Sequence, residues 1–407
     1  MEIAAAIVTS ADHMNDQPEL TLATEPWRIG VLFSTTGATA NIERAQLNAT
    51  LLAIDEINAA GGVLGREIRP VVYDAASDPK QSRALAEQMI GADGVKLVFG
   101  CYMSSVRKAV LPVIDSFRGL LFYPTFYEGF EYSAQAIYTG ATLNQNAFQL
   151  AKYLLARHGQ RFLFIGSNYI YPYETNRIMS DFVVQSRGKV VEELYIPLTA
   201  GADDLSHVVK RIRKFSPDAI FSTIVGQATA PFYEAYAEAG FSPSTMPIAS
   251  LTTSEADVAE MREGVAEGHI SAATFFSTLG TPAARKFTSA YRLRFGADAP
   301  IPSAAEAAYF QIYLAAAALE RAGSDDPRRV LAEIMEIEFD APQGRVRVDA
   351  DNHHTYLWPR VARLDAKGAF QIVWNPGVRV KPDPYCVSQS LDDWSADFVE
   401  PSLSSGR

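Results

Sequence analysis

Two short stretches place chemically able side chains at what read as neighbouring strand ends, Cys101 to Ser105 (CYMSS) and Tyr123 to Tyr127 (YPTFY). Each follows a short apolar run, Leu97–Phe99 or Leu120–Tyr123, and a segment with helical character lies between them, with Ser104 and Ser105 as N-cap candidates. Strand, capped helix, strand is half of a doubly wound α/β unit, and ligands of such sheets sit at the carboxyl ends of strands. Both stretches offer hydroxyls and aromatic rings, which hold a small polar molecule well. Neither offers a catalytic base. Cys101 is the one nucleophile among them, and a cysteine-class amidase needs a Glu and a Lys beside it that the neighbouring sequence does not supply. A small buried hydrophobe is the plainer role for that thiol.

Other chemistries find no footing. The sequence has no G-x-S-x-G elbow, Walker loop or H-E-x-x-H. Gly61-Gly62-Val63-Leu64-Gly65 follows a helical pattern and precedes a strand, the reverse of a dinucleotide fingerprint. Cys101 and Cys386 read as two reduced thiols, neither with a second Cys or His at zinc spacing. His353 and His354 are adjacent, so in a strand they point to opposite faces. No enzyme, cofactor or metal is expected. A formal charge of −11 over 407 residues argues against direct binding to nucleic acid or anionic membrane, since phosphate contacts need a basic face.

The elements that must position these stretches follow from periodicity. Trp27–Phe33 reads as a first strand, and Ser34–Asn41 as a small-polar loop. Ile42–Ala60 is a helix with apolar positions at Leu47, Leu51, Ile54 and Ile57. Ile68–Tyr73 is a second strand, and Asp78-Pro79 starts a helix at a favourable N-cap and N1 pair. Pro112 predicts a kink or a late start in the helix between the two stretches. From Asn146 the strand–helix alternation begins again, with Arg161–Ile165, Val190–Ile196, Ala219–Thr223 and Pro247–Ser250 as strands. Helices over Ala283–Phe295 and Ser303–Ala322 have no strand between them, and short strands follow near 345–348, 356–364 and 370–374.

The expected architecture is an α/β clamshell of two lobes, each a mostly parallel sheet flanked by helices, with the ligand between them. Residues 27–141 with 279–350 would form lobe 1, and 142–278 with 351–376 lobe 2. Residues 1–26 are an N-terminal extension, and 377–407 read as an arm suited to packing on a partner. The first 27 residues carry no Lys or Arg, and their apolar run is broken by Ser10, Asp12 and His13. With no secretory pattern there and no apolar run of about 18 residues anywhere, a cytoplasmic location is expected.

Several long segments carry a resemblance: GCYMSSVRKAV, YPTFYEGFEYS, GSNYIYPYETN, IASLTTSEADVAEM, DAPQGRVRV and DPYCVSQSLDDWSA. From about Trp27 to about Ala396 the chain resembles the amide sensors that repress aliphatic amidase operons. These fall in the type I periplasmic-binding-protein superfamily, beside receptors for branched-chain amino acids, urea and short-chain amides. The resemblance implies a ligand site built by Tyr102, Ser104, Tyr123 and Thr125 of one lobe and Tyr169, Tyr171, Val225 and Thr252 of the other. It implies a cytoplasmic sensor of acetamide-like amides, which controls an RNA-binding transcription antiterminator through a ligand-dependent complex. The alternative is the substrate-binding protein of an ABC importer for urea, short-chain amides or branched-chain amino acids. Self-association stays open.

The residue chemistry agrees, because no Asp or Glu falls among these contacts to meet an amino acid's ammonium group. The run Thr223–Thr229 is also uncharged, where urea-type transport receptors place an acid. Phe126 stands where the sensors have proline, and residues 1–26 match nothing in the family.

Overall fold

The first strand, β1 (Trp27–Phe33), is apolar along almost its whole length, and six of its seven residues are buried. That is the burial of a parallel strand covered on both faces. The structure, a computed structural model, describes residues 25–129, 131 and 133–386. After β1 come α1 (Ala40–Ala59), β2 (Ile68–Asp74), α2 (Pro79–Gly91), β3 (Leu97–Gly100), α3 (Ser104–Phe117), β4 (Leu120–Tyr123) and β5 (Ala136–Tyr138). The five strands form one parallel sheet in the order β2-β1-β3-β4-β5. Asp78 caps α2 as expected, its carboxylate accepting from the backbone N–H of Lys80 (2.7 Å) and Gln81 (2.9 Å).

The second lobe holds α4 (Ala147–Arg157), β6 (Arg161–Ser167), α5 (Ile170–Gln185), β7 (Lys189–Ile196), α6 (Ala202–Phe215), β8 (Ala219–Thr223), α7 (Thr229–Glu238), β9 (Ile248–Ser250), α8 (Glu255–Val258) and β10 (Ile270–Ala273). Its sheet runs β10-β9-β8-β6-β7 in parallel. The chain then returns as α9 (Pro282–Phe295), α10 (Ser303–Ala322), α11 (Pro327–Ile334), β11 (Glu338–Ala341), β12 (Gly344–Val348) and β13 (Thr355–Tyr356), whose apolar residues join the core of the first lobe. Finally β14 (Arg360–Leu364) and β15 (Phe370–Trp374) add antiparallel strands to the second sheet. The chain is thus a two-lobe α/β protein crossed three times, with the last crossing between β13 and β14. That point lies later than residue 350, because Thr355 and Tyr356 pair with β12.

Local packing departs from the sequence reading at several places. On α1 the buried side carries Ala45, Ala49, Leu52 and Ala53, while Leu47 and Leu51 are only half-buried. Small residues are needed there because α10, itself rich in buried alanine, packs along α1. Pro112 does not delay α3, which already begins at Ser104, and Ser104 is not its cap. Met103 holds the cap position in extended conformation. His353 lies in a turn with φ of 62° rather than in a strand, and His354 stacks on Tyr138 with ring centroids 4.2 Å apart. Cys101 and Cys386 are buried free thiols. The described part of the expected C-terminal arm runs back over the crossings. There Gln145 Nε2 donates to the Val380 carbonyl (2.9 Å) and Asn144 Nδ2 to that of Lys381 (2.8 Å). The rest of that arm, and the N-terminal extension before residue 25, lie outside the described residues. Among the described residues, no helix is long and apolar enough to cross a membrane.

Among the described residues, the carboxyls of Glu43, Asp257 and Glu306 are buried without a cation paired to them. Burial pushes them up, from 4.5 to about 7 for Glu43, from 3.8 to about 7 for Asp257 and from 4.5 to about 8 for Glu306. The folded chain therefore holds protons that the unfolded chain releases above its ordinary carboxylate pKa, so stability is lost as pH rises through the folded values. Thermal unfolding should show a lower midpoint at about pH 8.5 than at about pH 6. A midpoint that rose over that interval would contradict this burial.

Candidate functional site

The first lobe brings its contacts to the cleft through an unusual exit from β3. Gly100 has a φ of 149°, and a Cβ on it would lie 2.1 Å from the Leu32 carbonyl oxygen. Only glycine passes that close to β1. Cys101 follows with φ of 66° and donates its N–H to the same carbonyl at 2.9 Å, which turns Tyr102 and Ser104 towards the other lobe. Ser104 Oγ donates to Glu128 Oε2 (2.8 Å), and Glu128 Oε1 accepts from Arg107 Nη2 (2.8 Å), both ions being fully buried. Arg107 Nε is held by Glu131 (2.8 Å), which also takes Lys108. The guanidinium lies 4.7 Å from the centre of the Tyr123 ring and 5.1 Å from that of Tyr127. Burial works against its charge, but Glu128, Tyr123 and Glu131 more than offset this and hold its pKa above the ordinary value. Thr125 Oγ1 accepts from Gln46 Nε2 at 3.2 Å.

The second lobe contributes the residues after β6, β8 and β9. Tyr169 is the extended residue before α5 and Tyr171 sits in its first turn, their rings stacked with centroids 6.4 Å apart. The Tyr171 hydroxyl is buried and makes no hydrogen bond of good geometry. Val225 donates its N–H to Ser167 Oγ (3.1 Å), and Thr252 Oγ1 donates to the Ile224 carbonyl (2.6 Å). Burial pushes the phenols of Tyr102, Tyr169 and Tyr171 far up, so all three keep their protons.

One small cavity joins these elements. Its walls are Tyr102, Ser104, Thr125, Tyr169, Tyr171, Val225 and Thr252, together with Phe126. Its small size suits a molecule of few atoms. Tyr123 is not among the lining residues. Its hydroxyl donates to the Tyr102 carbonyl (2.8 Å) and lies 3.4 Å from that of Phe126, so it shapes the wall from behind. Glu128 and Arg107 were absent from the sequence reading of the site, and both sit just behind Ser104. No charged side chain lines the cavity. No group of three metal-ligating side chains occurs among the described residues.

The lobes touch beside the cavity. Gln227 donates its N–H to the Ala38 carbonyl at 3.2 Å, and Asn41 Nδ2 lies 3.4 Å from Asp257 Oδ1. Gly226, with φ of 64°, approaches so closely that a Cβ would stand 2.2 Å from the Ala38 oxygen. Gly226→Ala should weaken binding of any cleft ligand at least a hundredfold, about 2.7 kcal/mol, more than the about 1 to 2 kcal/mol that a left-handed alanine costs in stability. Paired calorimetric and denaturant titrations separate the two effects. Equal losses in both would remove Gly226 from closure.

Comparison with known proteins places this architecture. A model of the periplasmic binding protein domain matches residues 27–391. The Leu/Ile/Val-binding protein homolog 6 of Brucella melitensis is 23% identical over 302 residues, 72% of this chain and 77% of that protein. The Leu/Ile/Val-binding protein of Escherichia coli is 27% identical over 203 residues, 48% of this chain and 54% of its own length. Among solved structures, an ABC-transporter solute-binding protein of Rhodopseudomonas palustris in complex with p-hydroxybenzoic acid superposes with a TM-score of 0.81 at 20% identity, covering 90% of this chain and 100% of that one. The branched-chain amino-acid transporter substrate-binding protein of Streptococcus pneumoniae, in complex with isoleucine, gives 0.74 at 19% identity, over 88% and 100%. With two lobes, three crossings and a small cavity between them, this ligand-binding, non-enzymatic chain belongs to the periplasmic binding protein domain family.

Proposed function

We propose that the chain is a small-solute receptor whose ligand is a neutral amide or urea. The observation that carries this reading is a cavity walled by hydroxyls and rings with no charge facing it. An amino acid brings an ammonium and a carboxylate, and each needs a partner once buried. Glu128 is spent on Ser104 and Arg107, and Arg107 on Glu128 and Glu131, so neither is free to meet them. A primary amide asks only for a donor and an acceptor. Because Ser104 donates to Glu128, its lone pairs are left for an amide N–H, while the Tyr171 hydroxyl, which has only the Thr175 hydroxyl beside it, can turn its proton to the amide oxygen.

For the output, the relatives favour the substrate-binding role of an ABC importer. A second reading keeps the ligand and changes the partner: a cytoplasmic sensor that sequesters an RNA-binding antiterminator until amide binds. The resemblance of the cleft segments to amide sensors and the uncharged Gly226–Thr229 run support it. In that case coupling is reciprocal, and the antiterminator must weaken amide binding as much as amide weakens the complex.

Acetamide has four heavy atoms, and a ceiling of about −1.5 kcal/mol per atom gives about −6 kcal/mol, a Kd in the tens of micromolar. Calorimetry of the ligand-stripped protein with acetamide, urea, leucine and p-hydroxybenzoate should show such binding for an amide or urea and silence from the other two. Tight leucine binding alone would overturn the amide reading. Ser104→Ala and Thr125→Ala should each weaken amide binding by about 1 to 3 kcal/mol. Unchanged affinity in both variants would take these hydroxyls out of the site.

A further inference from the structure

A second cavity adjoins the first. It shares three wall residues with the polar cavity: Tyr102, Phe126 and Thr252. Beyond them its walls present mostly carbon, from Ile42, Leu251, Ala273, Phe275, Phe276 and Ala304, while the Ser271 and Ser303 hydroxyls on the same wall are taken up by the Thr253 carbonyl and the Thr274 hydroxyl. These residues come from both lobes: Ile42 and Ala304 from α1 and α10, the others from the ends of β9 and β10. Glu255 is the one carboxyl with a place in that wall. Its Oε1 accepts from the Ser277 N–H (2.9 Å), and burial pushes its pKa from 4.5 to about 7, so below that pH this wall too is mainly uncharged and offers no carboxylate to an ammonium group. Phe126 is half-buried and borders both spaces, so its ring stands where they meet.

We propose that the two cavities are one site, whose polar chamber holds the head of a primary amide and whose apolar chamber takes an unbranched acyl tail past Phe126. This deepens the amide reading above and depends on it. Three shared wall residues set the chambers side by side, and the change from polar to mostly carbon lining matches a ligand with one polar end. Acetamide would fill only the first chamber and leave the second without a partner. Each methylene moved from water into the second chamber should raise affinity about fourfold until the chamber is full. Phe126 then acts as a specificity-determining residue, because its ring sets the width that a tail must pass.

The test is calorimetry of the full chain with acetamide, propionamide, butyramide, pentanamide and hexanamide, reading affinity against chain length. The expected result is a rise over at least two successive members, and a pentanamide-to-acetamide affinity ratio above tenfold. Ala304→Leu, which fills the apolar chamber, should bring that ratio close to one. Phe126→Ala, which widens the passage, should raise the affinity for benzamide. Binding of acetamide with affinity falling at every added carbon would overturn the two-chamber site and leave the amide reading standing. Silence from every amide would overturn both.

Discussion

The site depends on the buried pair of Arg107 and Glu128. Two charges taken out of water are costly unless each finds its full set of partners. Here Arg107 is held by Glu128 and Glu131 and lies against the Tyr123 and Tyr127 rings, while Glu128 takes Ser104 on its other oxygen. The pair ties α3 to the loop after β4, so it fixes both strand ends of the first lobe relative to each other. It also sets the direction of the Ser104 hydroxyl. Its charge is used up behind the wall, so the cavity in front stays neutral and polar.

The second lobe answers with orientation rather than charge. The Val225 amide and the Thr252 hydroxyl are engaged with their own lobe, which leaves the Tyr171 hydroxyl as its adaptable donor. The lobes can come together only because no side chain stands at Gly226, where the chain meets the Ala38 carbonyl. Closure and recognition are therefore coupled through one short stretch after β8. A ligand that bridges the tyrosines of one lobe and the hydroxyls of the other favours the closed form by its differential affinity.

Much of this was legible in the sequence because the strands of a two-sided sheet are continuous apolar runs, and their ends are marked by Gly, Ser and Tyr. Seven of the eight residues assigned to the site line one cavity in the structure. Tyr123 was misplaced because a strand's last residue can face the ligand or the layer behind it, and sequence does not say which. Arg107 and Glu128 were invisible as partners, since they stand 21 residues apart with no periodicity linking them. Ser104 read as a cap because serine favours that position, yet its hydroxyl is drawn to a carboxylate that only the fold brings near. The three-residue β5 and the two-residue β13 are too short to show a pattern, so the last crossing was placed too early. Phe126 stood out as a departure from the family, and the structure sets it between two cavities.

The central claim is that the closed cleft is made for a neutral amide rather than a zwitterion. Small-angle X-ray scattering of the ligand-stripped protein tests it most directly, with acetamide and leucine added separately at saturating, equal concentrations. The account predicts a smaller radius of gyration with acetamide and no change with leucine. Contraction with leucine alone, or with neither, would contradict it.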